Sequence, residues 1–207
     1  MSGRFISLEG GEGAGKSTQL KRLAEALRTR GLVVVETREP GGSPGAEAIR
    51  SLLLEGEEGR WTAEAEALLF AAARADHVAR TIRPALADGK WVLSDRFLDS
   101  SLAYQGGAAG LGLDRIRALH AFATGGFLPD RTLLLRVPPG EAADRTARRD
   151  AGAADRIGAR GEAYHADVAE AFATLAVAEP ERFRVIDAGA SAGEVTQRML
   201  AAIEDLL

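Results

Sequence analysis

One glycine-rich stretch, Gly10-Gly11-Glu12-Gly13-Ala14-Gly15-Lys16-Ser17-Thr18, limits this chain more than any other. It follows the apolar run Phe5-Ile6-Ser7-Leu8 and precedes a pattern in which Leu20, Leu23 and Leu27 recur at spacings of three and four. Strand, glycine loop and helix in that order are the context in which G-x-x-x-x-G-K-[ST] cradles phosphate. Glycines let the backbone curl so that successive N–H groups point inward, and the following helix adds its positive N-terminal end. Lys16 then reaches the outer phosphates, and the Ser17 hydroxyl is placed to hold Mg²⁺. The stretch predicts a nucleoside triphosphate site.

The rest of the chain fits that beginning. Apolar runs recur with helical patterns between them: Phe5–Leu8, Leu32–Val35, Trp91–Leu93, Thr132–Val137 and Arg184–Ile186. Such alternation predicts a parallel sheet of five strands covered by helices on both faces. Ligands of such sheets sit beyond the carboxyl ends of the strands. The segments that follow the runs therefore matter: the glycine loop, Thr37-Arg38-Glu39-Pro40-Gly41-Gly42, Asp95-Arg96, an arginine-rich segment, and Asp187-Ala188-Gly189. Helices are expected to end near Gly31 and to run over 45–54, 63–87, 114–123, 162–178 and 192–207, the third of them breaking near Pro84.

Composition excludes more than it selects. At 207 residues the chain fits one α/β domain, or a domain with a small insertion. With no cysteine, disulfides and thiolate metal sites are excluded. No apolar run approaches the length of a membrane span, Met1-Ser2-Gly3-Arg4 leaves no room for a signal peptide, and a cytoplasmic location is the default. A net charge of −4 argues against nucleic acid as the main partner.

Three further groups of residues carry chemistry. Phe70, Arg74 and His77 share one helix face; the ring and guanidinium could grip a nucleotide, or be core and surface charge as in many amphipathic helices. Asp95 ends a buried strand, where a carboxylate can hold a metal directly or through water, with Arg96 beside it to neutralise phosphate charge. Segment 139–161 contains Arg145, Arg148, Arg149, Arg156 and Arg160 among glycines and alternating charges, a composition suited to a lid or to a solvated surface turn. His77, His120 and His165 show no ligand spacing and are expected to pack rather than bind metal, as is Trp91.

Taken in order, several motifs resemble the bacterial thymidylate kinases: Leu8 to Thr18, Thr37 to Gly42, Leu68-Leu69-Phe70 to His77, Asp95-Arg96-Phe97 with Ser100 to Gly106, Pro129-Asp130 and Asp155-Arg156-Ile157. The resemblance implies a P-loop NTPase fold of three α/β/α layers with a helical lid, forming a single kinase domain over 1–207. It implies transfer of the γ-phosphoryl of ATP to dTMP with Mg²⁺, in a homodimer. By the same resemblance Phe70 stacks on thymine, and Arg74, Ser101, Tyr104 and Gln105 surround the base. Arg38 and Arg96 hold the acceptor phosphate, with Arg50 a further candidate and Glu12 close to the acceptor. Glu39 orients its neighbours, Ser17 and Asp95 serve the metal, and a lid arginine (Arg148, Arg149 or Arg156) joins Lys16 and Arg96 in catalysis. Phe97, Arg136, Gly158 and Asp167 depart from the family pattern, and Phe97 loses any polar contact at its position. A kinase of another pyrimidine monophosphate, or a non-catalytic P-loop switch, are the competing readings.

Overall fold

The computed structural model describes residues 3–57, 59–138 and 156–207. Its centre is a parallel sheet of five strands: β1 (Phe5–Glu9), β2 (Val34–Arg38), β3 (Trp91–Asp95), β4 (Arg131–Arg136) and β5 (Phe183–Asp187). They lie in the order β2-β3-β1-β4-β5, so β1 is central and pairs with β3 and β4. The glycine loop leaves the carboxyl end of this innermost strand, where sheets of this kind open a ligand crevice.

Alternation along each strand explains why both faces are covered. Phe5, Val92 and Leu134 point to one face, and Ile6, Leu8, Leu93, Leu133 and Leu135 to the other. The first set packs beneath helices α3 (Ala63–His77), α4 (Arg83–Ala87), α5 (Leu98–Ser101), α6 (Leu113–Thr124) and α7 (Glu162–Ala178). The second packs against α1 (Lys16–Thr29), through Leu20, Leu23 and Leu27, and α8 (Ala192–Ala201), through Val195, Met199 and Leu200. A period of two with both sets apolar is what a strand buried on two sides requires. The result is the three-layer α/β/α arrangement of a P-loop NTPase.

The helix ends follow local chemistry. α1 closes as expected at Gly31, in the left-handed region at φ 83°, with Gly31 N–H to Arg28 O at 2.9 Å and Leu32 N–H to Leu27 O at 3.2 Å. α2 (Pro44–Leu54) starts on Ser43, whose side chain caps Ala46 N–H, with proline in the first turn where its missing N–H costs nothing. α8 has a reciprocal capping box between Ser191 and Glu194.

The expected break near Pro84 takes the form of a wide π-helical turn, Val78–Ile82, joining α3 to α4. Proline lacks the N–H for the regular helical bond, and the wider turn lets the chain continue around that gap. The expected helix over 192–207 instead stops at Ala201 and is followed by a 3₁₀ turn at Glu204–Leu206. The segment after Asp95, where no helix was expected, is α5 continued by a second π-helical turn, Leu102–Ala108. No helix among the described residues is long and apolar enough to cross a membrane.

Candidate active site

The glycine loop bends as its composition dictates. Gly10 has φ 139°, and a Cβ there would run into the Leu135 carbonyl on β4; Gly13 and Gly15 also have positive φ. Gly15 caps α1, and Lys16 begins it. The Lys16 ammonium turns back into the loop and donates to Gly10 O at 3.0 Å and Gly11 O at 2.8 Å. Burial, with Arg96 adding to it, pulls its pKa down to about 8, while Asp95, Glu12 and Glu9 resist the drop. Next to it the Ser17 hydroxyl donates to Asp95 Oδ2 at 2.7 Å. A hydroxyl and a carboxylate side by side next to a phosphate cradle are hard oxygen donors of the kind Mg²⁺ takes, so these two residues fit that ion.

Arg96 follows at the end of β3 with φ 71°, a left-handed conformation that is costly for a side chain with a Cβ. That turn is held from behind by Glu9, the last residue of β1. Glu9 is fully buried, and its carboxyl accepts from Phe97 N–H at 2.7 Å and from the Ser100 hydroxyl at 2.6 Å. Burial above all, then Asp99, pushes this carboxyl well above the usual carboxylate range. The Arg96 guanidinium in turn donates to Ser100 Oγ at 3.0 Å, Gly10 O at 3.1 Å and Glu12 Oε1 at 2.6 Å, with its carbon 5.1 Å from the Tyr104 ring centre. Burial works against its charge, but Tyr104, Glu12, Asp95 and Glu9 outweigh it and hold its pKa above the ordinary value. The cation is therefore fixed directly over the glycine loop.

A second arginine is organised on the opposite wall. Arg74 on α3 is buried, donating to Glu39 Oε2 at 2.7 Å, Ser101 Oγ at 2.9 Å and the Phe97 carbonyl at 3.1 Å. Glu39 also accepts from His77 Nδ1 at 2.9 Å, and His77 Nε2 lies 2.7 Å from Thr37 Oγ1. Burial opposes ionisation of Glu39, but Arg74 and His77 overcome it and hold the carboxyl below its ordinary value. Glu39 thus bridges Arg74 and His77, and His77 is fully buried. Phe97 does not simply lose a polar contact. Its ring is fully buried, edge-on to Phe5 at 4.9 Å and beneath the Arg74 guanidinium at 5.3 Å, so it supports that arginine from below.

Between these walls lies a cavity of about 760 Å³, large enough for nucleotide-sized ligands. It is lined by Glu12, Gly13, Ala14, Gly15, Lys16, Ser17 and Thr18 of the loop, and by Arg38, Glu39, Arg50, Phe70, Arg74, Asp95, Arg96, Ser101, Tyr104 and Gln105. The structure therefore gathers these expected residues, drawn from the ends of β1, β2 and β3 and from α2, α3 and α5 with its π-helical turn, into one place. Arg38 extends to Glu47 at 3.1 Å, and Arg50 donates to the Pro40 carbonyl at 2.6 Å. Tyr104 stays protonated, burial pushing its phenol up to about 12. Arg156, expected among the catalytic lid arginines, is buried and donates to Glu66 Oε2 at 2.6 Å and Leu53 O at 3.0 Å. Arg145, Arg148 and Arg149 lie outside the described residues.

Sequence comparison agrees with the geometry. A family model described as thymidylate kinase matches residues 8–199. The chain is 64% identical to a thymidylate kinase of Rhizorhabdus wittichii over 207 residues, all of both chains. The chain belongs to the thymidylate kinase family. Thymidylate kinases of Bradyrhizobium sp. and Halorhodospira halophila are 49% and 48% identical over 206 residues, covering 99% of this chain and 91% and 95% of theirs.

Within this thymidylate kinase family chain, the residues that sequence reading missed are those behind the cavity wall. Glu9 carried a signal, an acid closing a mostly apolar strand directly before the glycine loop. Glu66 carried another, one helical turn before Phe70 on the stripe shared with Arg74 and His77. The cavity is also lined by Gln19 of α1 and by Ala188, Ala190, Ala192 and Val195 after β5. Alanines have no spacing signature, so only the fold could reveal this lining.

Proposed function

We propose that the chain is a thymidylate kinase that transfers the γ-phosphoryl of ATP to dTMP, giving ADP and dTDP for nucleotide biosynthesis. The observation that carries this reading is the pairing, in one cavity, of a phosphate loop with Arg96 lying over it and an opposite wall that carries Phe70, Arg74 and Gln105. The loop takes the triphosphate, and the wall of Gln19, Ala188, Ala190 and Val195 takes the donor's base. Phe70 stacks on the acceptor's base, Arg74, Ser101, Tyr104 and Gln105 line its edge, and Arg96, Arg38 and Arg50 face its phosphate.

No general base is needed, because a monophosphate oxygen is largely ionised at neutral pH. Catalysis is then alignment together with charge neutralisation by residues already in place. Lys16 leaves its two loop carbonyls for the phosphates, whose charge restores its own. Glu12 releases part of Arg96 as the acceptor phosphate enters. Ser17 and Asp95 would hold Mg²⁺, which would supply charge neutralisation at the phosphate oxygens. Arg148 and Arg149 of segment 139–161 are the lid candidates for the transferring group. The chain works as a single domain in the cytoplasm and as a homodimer.

ADP release tests the reading, with ATP, Mg²⁺ and dTMP, dUMP, UMP, CMP or AMP offered separately. Turnover is strongest with dTMP, and Arg96→Ala lowers kcat/KM for dTMP by roughly 10²–10³-fold, the usual effect of losing a donor at developing charge. ADP formed at one slow rate with every acceptor, and with none, would overturn it.

A further inference from the structure

One fully buried carboxylate touches the cavity wall from behind. Glu66 on α3 is 1% exposed, and its Oε1 accepts from Gln105 Nε2 at 2.9 Å. Its Oε2 accepts from Arg156 Nη2 at 2.6 Å and Arg160 Nη2 at 2.7 Å. A carboxylate held by two guanidinium groups only accepts, so the Gln105 amide must present its NH₂ to Glu66. The other branch of that amide, Oε1, has no hydrogen-bond partner among the described residues, and Gln105 lines the cavity with Phe70, Arg74 and Ser101.

We propose that Glu66 is a positioning residue for base selection: by fixing the Gln105 amide it presents a carbonyl to the acceptor base, favouring 4-oxo over 4-amino pyrimidines. The proposal rests on the acceptor reading above. Thymine and uracil carry a donor at N3 and an acceptor at C4, and cytosine carries the reverse. A fixed carbonyl accepts the N3–H of the first pair and opposes the N3 lone pair of cytosine. The Arg74 guanidinium, a donor only, matches a 4-oxo group and opposes a 4-amino group in the same sense. An unanchored glutamine would turn over and donate to cytosine, discriminating little. Glu66 thus adds a repulsive element against the wrong base, which attraction to the right one does not supply. It has no reach over the C5 substituent, so discrimination between dTMP and dUMP is independent of it.

The test is kcat/KM for dTMP, dUMP and dCMP in the wild type, Glu66→Gln, Gln105→Met and the double variant. In Glu66→Gln the preference for dTMP over dCMP falls at least tenfold while dTMP over dUMP holds. Gln105→Met loses the same preference, and the double variant loses no more than Gln105→Met. Equal loss of dTMP and dCMP turnover in Glu66→Gln would mark a purely structural role and overturn the proposal. Should Glu66→Gln fail to fold with Arg156 and Arg160 left unpaired, Gln105→Met decides alone, since it keeps Glu66 and both arginines. An unchanged dTMP to dCMP ratio there overturns the proposal. Absence of dTMP turnover in the wild type would instead sink the functional reading.

Discussion

Arg96 is the one non-glycine residue with positive φ among the described residues, and its guanidinium lies against the glycine loop. Strain of this kind, on the order of 1–3 kcal/mol, persists only where the surroundings over-determine it. Here Glu9, Ser100, Glu12 and Gly10 do so from both ends of the residue. His120 shows the same logic without function. Its ring is buried, with Nε2 2.6 Å from Phe127 O, and burial, reinforced by Arg74, takes its pKa from 6.5 down to about 4. The folded chain keeps it neutral, and the unfolded chain takes up a proton below about pH 6.5, so stability is lost as pH falls through that window. The His120 contribution to the thermal midpoint should fall between about pH 6.5 and 5, while the raised Glu9 carboxyl, protonated in the folded chain, contributes in the opposite sense. His120→Gln should flatten that slope when melts are compared pH by pH.

At the scale of elements, the segment α5 with its π-helical turn carries Ser101, Tyr104 and Gln105, and it is pinned to the sheet by one buried ion pair. Asp99 on α5 takes two hydrogen bonds from Arg182, at 2.6 and 2.8 Å, just before β5, and one from Thr132 on β4 at 3.0 Å. On its outer side α7 comes so close that a Cβ at Gly107 would meet Ala171 Cβ at 2.8 Å. Arg182→Met leaves Asp99 buried without its partner and should cost roughly 3–5 kcal/mol in urea unfolding. Asp99→Asn added to it should recover part of that loss; no recovery would mean that the pair is not the source. This segment was the least legible part of the sequence. Leu98–Ala108 has neither helical periodicity nor strand alternation over a useful length, because its residues answer to the sheet below, the cavity above and α7 outside.

At the scale of the molecule, α3 and α6 pack side by side and leave large apolar side chains in solvent, Leu68 at 56% and Phe122 at 93% exposure. An isolated exposed residue means little, but two on neighbouring helices suit a second copy of the chain. Sedimentation equilibrium should give twice the 21.8 kDa chain mass, and Phe122→Glu should shift it toward the monomer. A wild-type monomer at micromolar concentration would remove the homodimer from the proposal.

The sequence alone determined what depends on neighbours in the chain. A glycine loop between strand and helix needs only local backbone freedom, and Phe70, Arg74 and His77 share a face because 3.6 residues make a turn. Alternating apolar runs likewise announced five parallel strands, each close to its observed place. The tertiary structure alone decided the strand order and the partners of each charge: Glu9 with Ser100 and the Arg96 turn, Glu39 with Arg74, Glu66 with Gln105, Arg156 and Arg160. These pairs join residues dozens of positions apart. Their strength comes from exclusion of water between elements that packing has already brought together, and no local pattern encodes that.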